Sequence, residues 1–296
     1  MTRAESSGYH ASRYGLKGSE DIGGGLHVNF QMEEGFSGAN GAASNAVDAF
    51  NRQAWVGLSG AFGQVRFGLQ NTPQYIFMNL ELDPVVVMSM ASPTNDFNSL
   101  IIRENNAISY FTPTIHGLTA QFMVAMRDAT TKPTNGLQFN NAAVRYGNGP
   151  FRAAASYEQA VNTDGTSVLK LFSVGTSLGI GAARFYLAYH AEHETDNSEH
   201  HDVYEVSGSW SLTPFDEIAL LYGYEDDRTA LGNNAQQIGL NYQHFLSKKT
   251  ILYVSTGFVQ NRNTGEFTLN GTAYAGIAVA PGSNTRGVIV GIVGMF

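Results

Sequence analysis

The segment with the most obvious potential for chemistry is a run of histidines and carboxylates between residues 190 and 202. It contains His190, His193, His200, His201, Glu192, Glu194, Asp196, Glu199 and Asp202. Imidazole and carboxylate groups of this kind could hold a divalent metal ion. However, no predicted strand or helix aligns both His190 and His193 as ligands, and most of the cluster falls in a polar connector. We therefore expect a hydrated, pH-responsive surface here rather than a metal site.

A second candidate for chemistry is Ser177, because residues 175–179 match the pattern G-x-S-x-G. In hydrolases that pattern requires a strand that leads into a helix. Here a Gly-Ile-Gly turn and another predicted strand follow, which argues against a nucleophile elbow. The same glycines do not extend into a dinucleotide-binding fingerprint. Scattered Ser, His and Asp side chains could still meet in three dimensions, so a hydrolase stays open as a weaker alternative.

Basic side chains form the third group, and they alternate with apolar residues. Arg13 and Lys17 alternate with Tyr14 and Leu16. Because successive side chains of a strand point to opposite faces, this spacing puts the charges on one face and the apolar groups on the other. The same relation holds for Arg66, Arg127, Arg145, Arg152 and Arg184. One face of these strands is therefore predicted to be basic.

The elements that must position these groups are strands, because a period of two dominates the sequence. Residues 26–33, 118–125, 183–190 and 217–224 all alternate between apolar residues and polar or small ones. Such alternation indicates strands with one apolar face. About fifteen are predicted, at 12–20, 26–36, 51–59, 64–71, 105–111, 118–127, 141–146, 151–159, 167–178, 182–192, 201–212, 217–225, 234–245, 250–260 and 285–296.

The connectors between these strands alternate in length along almost the whole chain. Short connectors rich in Gly and Pro, such as 147–150 and 179–181, alternate with long polar ones, such as 37–51 and 72–104. A soluble sandwich has no reason to keep this rhythm. A membrane barrel does, with tight turns on one side and long loops on the other. The fold class predicted is all-β, a transmembrane antiparallel β-barrel that forms one domain over residues 1–296.

The composition agrees with a barrel and excludes several other classes. Only 14% of the 296 residues are charged and 33 are Gly, yet the mean hydropathy is −0.15. No stretch provides the ~20 consecutive apolar residues that a spanning helix needs. The net charge of −8 argues against nucleic acid as a partner, and the absence of Cys excludes disulfides, thiol catalysis and Cys-ligated zinc.

The number of predicted strands is odd, which is a problem for a closed antiparallel barrel. The first and the last of fifteen strands would run in the same direction. Residues 1–11 are too polar and irregular to supply another strand, and they lack the apolar core of a signal peptide. We therefore expect that this chain lacks the N-terminal strand of a sixteen-stranded parent, together with its signal peptide.

Several blocks of the sequence resemble one known family. Residues 12–25 (SRYGLKGSEDIGGG), the following 26–36 and 50–68, the motif YFTPTIHG at 110–117 and the terminal 287–296 are similar to the Gram-negative general diffusion porins of the β-proteobacterial type. The resemblance implies a homotrimer of sixteen-stranded barrels in the cell outer membrane. It also implies a water-filled passive pore for ions and small hydrophilic solutes, without enzymatic activity or a cofactor. In this family the third long loop folds into the lumen as a constriction.

The loop that this resemblance selects is the connector 72–104, which is much longer than its neighbours. Its acidic residues are Glu81, Asp83 and Asp96, and the basic wall predicted above would lie opposite. Charged rings at the narrowest point select among ions. The Arg of the family's SR-x-G-L motif faces the constriction, and Arg13 matches it. The constriction is therefore expected to comprise Arg13, Lys17, Arg66, Arg127, Arg145, Arg152, Arg184, Glu81, Asp83 and Asp96, with a weak preference for anions.

Two departures from the family pattern suggest an alternative. Leu69 stands where the family usually has an arginine, and residues 85–90 (VVVMSM) are more apolar than a hydrophilic constriction needs. A substrate-selective channel with an apolar ledge is one interpretation. Packing of these residues against the wall or a neighbouring subunit is the interpretation that we favour.

The last strand carries an additional feature, because Phe296 ends an alternating apolar series. A terminal aromatic residue in this position resembles the outer-membrane assembly signal. The alternative is an ordinary hydrophobic last strand. The partners expected are two further copies of the chain, outer-membrane lipid and lipopolysaccharide, the outer-membrane assembly machinery and small hydrophilic solutes.

Overall fold

The computed structural model describes residues 6–127, 137–162, 165–271 and 274–296, and all fifteen predicted strands are present in it. They are β1 Arg13–Gly23, β2 Leu26–Gly35, β3 Gln53–Gly60, β4 Gly63–Asn71, β5 Arg103–Phe111, β6 Leu118–Met126, β7 Leu137–Asn148, β8 Phe151–Val161, β9 Val168–Ile180, β10 Ala183–Glu194, β11 His200–Thr213, β12 Asp216–Asp227, β13 Ala235–Ser247, β14 Thr250–Asn261 and β15 Thr285–Gly294. The predicted bounds agree within a few residues. The largest difference is β7, predicted only as 141–146, because Leu137, Phe139 and Asn140 continue its pairing with β6 or β8.

All fifteen strands form one antiparallel sheet in which each strand pairs with the next along the chain. The connectors keep the rhythm expected from the sequence: short turns such as 24–25 and 61–62 alternate with longer segments such as 36–52 and 72–102. Of the long connector predicted at 128–140, residues 128–136 lie outside the described residues, and residues 137–140 belong to β7 instead. The fold is therefore the predicted all-β barrel type.

The two faces of the sheet differ as the alternation requires. In β10, Phe185 and Leu187 are more than half exposed, whereas Tyr186 and His190 on the other face are buried. In β15, Val288, Val290 and Ile292 form an exposed apolar row. An apolar outer face and a polar inner face are the arrangement that a lipid-embedded, water-filled barrel needs.

The two terminal strands of the sheet have free edges in the described part of the chain. β1 pairs only with β2, and β15 pairs only with β14. The sheet is therefore not closed, and the odd number of strands makes β1 and β15 run in the same direction. Residues 6–12 are not a strand; they enter the barrel, where Tyr9 is buried and its hydroxyl accepts a hydrogen bond from Gln243 Nε2 at 2.9 Å. The expected missing strand stays a prediction.

Within the described residues, helical structure is confined to the connector between β4 and β5. It consists of a π-helical turn over Tyr75–Asn79 and a single α-helical turn, α1, over Thr94–Phe97. No helix in the described ranges is long and apolar enough to cross a membrane. We refer to this connector, residues 72–102, as the inner loop because it packs against inward-facing residues of the wall.

Candidate functional site: the charged lumen beside the inner loop

The inner loop is attached to the wall by polar contacts to several strands. Near its start, the Gln74 side chain donates to Ser173 Oγ in β9 at 2.7 Å. Near its end, Thr94 Oγ1 donates to the carboxylate of Glu205 in β11 at 2.8 Å, and the Ser99 amide donates to Glu192 in β10 at 2.7 Å. These contacts span a wide arc of the barrel and fix the position of the loop inside it.

Glycines on the wall provide the space that the inner loop occupies. A Cβ atom at Gly239 in β13 would overlap the Ala91 carbonyl, and one at Gly223 in β12 would overlap Pro93. At Gly175 in β9 it would lie 3.0 Å from a Leu82 methyl. A glycine in a strand interior weakens the strand but permits close approach of another backbone. These positions therefore let the loop lie flat on the wall.

The apolar stretch 85–90 packs the loop in place, and all of its residues except the partly exposed Val86 are buried. Val85 packs with Ala219 and Leu221 of the wall and is fully buried. Val87 and Met88 pack against Tyr75 inside the loop. Burial of such side chains is favourable by about 1.5–3 kcal/mol each. The structure therefore supports the packing interpretation of this segment and offers no apolar ledge.

The largest accumulation of positive charge lies around Glu33, which points inward from β2. Arg13 Nε lies 3.5 Å from Glu33 Oε2, and Arg52 Nε donates to Glu33 Oε1 at 2.7 Å. Arg13 is the more exposed of the two side chains, at 38% against 15%. One carboxylate therefore compensates two guanidinium groups.

Arg103, the first residue of β5, adds a third positive charge to the same place. It interacts electrostatically with Arg52, Glu33 and Arg13, and its buried Nε has no hydrogen-bond partner among the described residues. Tyr75 of the inner loop faces this group: burial raises the pKa of its hydroxyl, while Arg52, Arg103 and Arg13 act in the opposite direction. We call Arg13, Arg52, Arg103 and Glu33 the basic cluster; its formal charge is +3 − 1 = +2.

The three predicted loop acids lie in different surroundings. Glu81 forms an ion pair with Arg145 of β7, whose guanidinium also lies 5.0 Å from the ring centre of Phe77. Asp83 is buried and accepts hydrogen bonds within the loop, from the Val85 amide at 2.7 Å and from Ser92 Oγ. Burial raises its pKa, although these hydrogen bonds act against the shift. Asp83 therefore stabilises the loop from within, and its carboxylate does not face the lumen.

Asp96, the third of these acids, faces a different part of the chain. It is 9% exposed, and it accepts a hydrogen bond from the Asn270 amide at 2.6 Å. Burial raises its pKa well above the usual value, and the hydrogen bonds from Asn270 act in the opposite direction. Asp96 thus connects the inner loop to the long connector 262–284. Together with the burial of Asp83, this leaves Glu81 as the only one of the three predicted loop acids that is not buried.

The remaining predicted basic residues are spread along the inner wall and do not join the basic cluster. Arg66 in β4 stacks on aromatic rings. Arg184 donates to the Pro150 carbonyl and to Ser177 Oγ, both at 3.0 Å, near the short turns. Lys17 and Arg152 are exposed, and Arg127 lies beside Gly165 at the long-loop end.

The histidine-rich segment does not come together as a metal site. His193 and His200 are paired across β10 and β11 with ring centres 4.8 Å apart, whereas His190 is buried on the inner face against Ser173. Within the described ranges, no three His, Cys, Asp or Glu side chains are arranged to hold a metal ion. The expected hydrated surface is wrong for His190, Glu192 and His201, which are buried on the inner face, whereas Asp196 and Glu199 are exposed.

Comparison with known proteins agrees with this architecture. The family model described as "Gram-negative porin" matches residues 2–264. This chain belongs to the Gram-negative porin family. It is 31% identical to outer membrane porin protein 32 of Delftia acidovorans over 302 residues, which covers 97% of this chain and 85% of the relative. It is 25% identical to the major outer membrane protein P.IB of Neisseria meningitidis serogroup B, over 84% of this chain and 76% of that protein.

Solved structures give the same result. The anion-selective porin from Comamonas acidovorans superimposes with a TM-score of 0.82 at 30% identity, over 99% of this chain and 91% of that porin. OmpT of Vibrio cholerae shares the fold, with a TM-score of 0.72 at 15% identity. The porin described here is therefore an outer-membrane channel for passive diffusion and not an enzyme.

Only Arg13 of the basic cluster of this porin was predicted from the sequence. Arg52, Arg103 and Glu33 were not. The predicted strand 51–59 would place Arg52 on the outward register, but β3 begins at Gln53, so the side chain is free to turn towards Glu33. Arg103 was assigned to the connector, although it pairs with Asn71 as the first residue of β5. Glu33 alternates with Met32 and was a detectable inward position.

Proposed function

We propose that this porin is a weakly anion-preferring pore in which the inner loop and the opposite wall form a charge-filtered constriction. The filter consists of the basic cluster, with Glu81 and Arg145 as an ion pair on its loop side. Arg66, Lys17, Arg127, Arg152 and Arg184 add positive charge along the inner wall. The ion pairs of Arg13 and Arg52 with the single carboxylate of Glu33, with Arg103 within electrostatic range of them, carry this proposal.

The reason for anion preference is the imbalance of accessible charge. The loop acids Asp83 and Asp96 are buried and hydrogen-bonded, so they do not neutralise the basic cluster as a solute meets it. A local excess of positive charge raises the concentration of anions beside it. The similarity to a porin that is described as anion-selective supports the same proposal.

The test is the zero-current potential of the purified porin in a planar bilayer with a potassium chloride gradient. We expect the sign of the potential to show that chloride permeates faster than potassium. The preference should weaken as salt is raised, because the Debye length falls from about 10 Å at 0.1 M to about 3 Å at 1 M. A preference for potassium at low salt would contradict the proposed filter.

We further propose that the porin acts as a homotrimer surrounded by outer-membrane lipid and lipopolysaccharide. Three equal closing steps of a single inserted unit, together with a cross-linked species of three chains, are the expected observations. A single closing step would argue for a monomeric channel. The alternative of a substrate-selective channel loses its main support, because the apolar segment 85–90 is buried apart from the partly exposed Val86.

Phe296 is proposed to act as the signal that the outer-membrane assembly machinery recognises. Its ring is fully exposed beyond the end of β15, so it adds little to the packing of the folded barrel. Phe296→Ala is therefore expected to lower the amount of assembled porin severalfold while leaving the thermal stability of the assembled fraction unchanged. Heat-modifiable gel mobility of outer-membrane fractions measures the former, with Met295→Ala as the matched control. Equal amounts for both variants would contradict the assignment.

A further inference from the structure

A second group of inward-facing side chains lies on β3, β4 and β5, separate from the basic cluster. The guanidinium carbon of Arg66 is 4.2 Å from the ring centre of Trp55 and 4.3 Å from that of Phe111. The two rings come from the two strands that flank β4, so they reach the guanidinium from both neighbours. Attraction between a cation and aromatic faces at this distance stabilises the stack and holds the guanidinium in one orientation.

The hydrogen-bonding capacity of Arg66 is only partly used. Its Nε donates to Gln64 Oε1 at 2.9 Å, and no carboxylate in the described part of the chain forms an ion pair with it. The terminal amino groups of a guanidinium carry four further donors in a planar fork. Those donors are left for water or for a solute in the lumen, because Arg66, Trp55 and Phe111 are all partly exposed.

The backbone around the stack is built to accommodate it. Arg66 lies opposite Gly57, where a Cβ atom would be only 3.2 Å from Arg66 Cγ. Trp55 lies opposite Gly68 in the same pair of strands. The two glycines thus leave room for an arginine stem and an indole ring to lie against the wall rather than project freely into the lumen.

We propose that Trp55, Arg66 and Phe111 form a binding site for planar aromatic carboxylates such as benzoate. Because the rings contact the faces of the guanidinium, its edge is what a ligand can reach, and that edge matches a carboxylate with two parallel hydrogen bonds. The aromatic body of the ligand then packs beside Trp55 or Phe111, which supplies contact that acetate lacks. A site of this kind in a hydrated lumen binds weakly, with a Kd on the order of 1 mM.

The composition of the chain allows a direct test. It contains only two tryptophans, and Trp210 is an exposed residue on the outer face of β11. The variant Trp210→Phe therefore leaves Trp55 as the single fluorescent reporter in the site. Detergent-solubilised Trp210→Phe porin is titrated with benzoate, acetate and phosphate at constant ionic strength, with excitation at the red edge of the tryptophan band, where benzoate does not absorb.

We expect a saturable change of Trp55 emission with benzoate and a response at least tenfold weaker, in apparent affinity, with acetate or phosphate. Arg66→Lys in the same background keeps the charge but removes the planar fork, and it should weaken benzoate binding about tenfold. Phe111→Leu, which retains both Trp55 and Arg66, serves as the second variant if Arg66→Lys does not assemble. Lys248→Gln, in an exposed turn away from the stack, is the control for a substitution outside the site and should leave benzoate affinity unchanged.

Several results would overturn this site. If assembled Trp210→Phe porin shows no saturable response to benzoate, the stack of Trp55, Arg66 and Phe111 only stabilises the packing of three strands. Equal responses to benzoate, acetate and phosphate would reduce it to a non-selective positive charge. Unchanged benzoate affinity in both Arg66→Lys and Phe111→Leu would place binding elsewhere. The titration needs no bilayer, so its failure is distinct from failure of the proposed ion preference.

Discussion

Replacement of both Arg52 and Arg103 by glutamine is expected to abolish the anion preference of the pore. The two residues contribute two of the three guanidinium groups of the basic cluster, and Arg13 would remain with Glu33 as a compensated pair. The formal charge of the cluster falls from +2 to 0. The zero-current potential in a potassium chloride gradient is therefore expected to move close to zero or change sign.

The size of the effect follows from the electrostatic energy of an ion that passes the cluster. A unit charge about 8 Å away contributes about 0.5 kcal/mol in water, with opposite sign for chloride and potassium. Screening at 0.1 M salt roughly halves this contribution. Each lost guanidinium should therefore lower the ratio of chloride to potassium permeability about twofold.

Two further variants make this experiment decisive. Glu33→Gln removes the only carboxylate of the basic cluster, so it is expected to shift the potential in the opposite direction, towards stronger anion preference. Lys248→Gln removes a positive charge from an exposed turn and should leave the potential unchanged. If the double variant Arg52→Gln, Arg103→Gln gives the same zero-current potential as Lys248→Gln, the selectivity filter lies elsewhere.

The second large effect is expected for Gly239→Val, because the inner loop lies directly on this glycine. The added side chain would overlap the Ala91 carbonyl, so the loop must move away from β13 towards the lumen. Overpacking of this kind costs about 1–3 kcal/mol. We expect a lower single-channel conductance and reduced thermal stability of the assembled porin.

The matched control for this substitution is Gly147→Val. Gly147 also lies in a strand and on the inward register, but a Cβ atom there would meet no atom within 4 Å. The conductance and the melting temperature of Gly147→Val porin should stay close to those of the unmodified porin. Unchanged conductance in Gly239→Val would mean that the inner loop does not limit the pore, and it would remove the basis for a constriction at residues 72–102.

The strands could be predicted from the sequence because the alternation that specifies a strand involves only residues close together in the chain. Alternation in 183–190 fixes which side chains of β10 face lipid, and the structure agrees, with Phe185 and Leu187 exposed. The predicted bounds fail mainly where alternation is weak. At 137–140 the residues Leu, Gln, Phe and Asn lie beside a polar connector, and only pairing with the neighbouring strands extends β7 over them.

The candidate site was predictable only in part, since side chains far apart in sequence meet there. Arg13 and Arg66 could be assigned to the inner face from their apolar neighbours. Arg52 and Arg103 could not, because Arg52 lies just before β3 and Arg103 is the first residue of β5, where alternation does not determine direction. Glu81 and Asp83 are only two residues apart, yet one pairs with Arg145 and the other is buried inside the loop.

The sequence alone determined the class of this protein: alternation, connector rhythm and low charge indicate an outer-membrane barrel, because lipid outside and water inside impose a period of two on every strand. The tertiary structure decided which charges act together. The inner loop crosses from β4 to the far wall and brings Tyr75 beside arginines from three separate segments, while it buries two of its own acids. Such contacts depend on how a long loop packs against glycines of distant strands, and no local pattern in the chain specifies that.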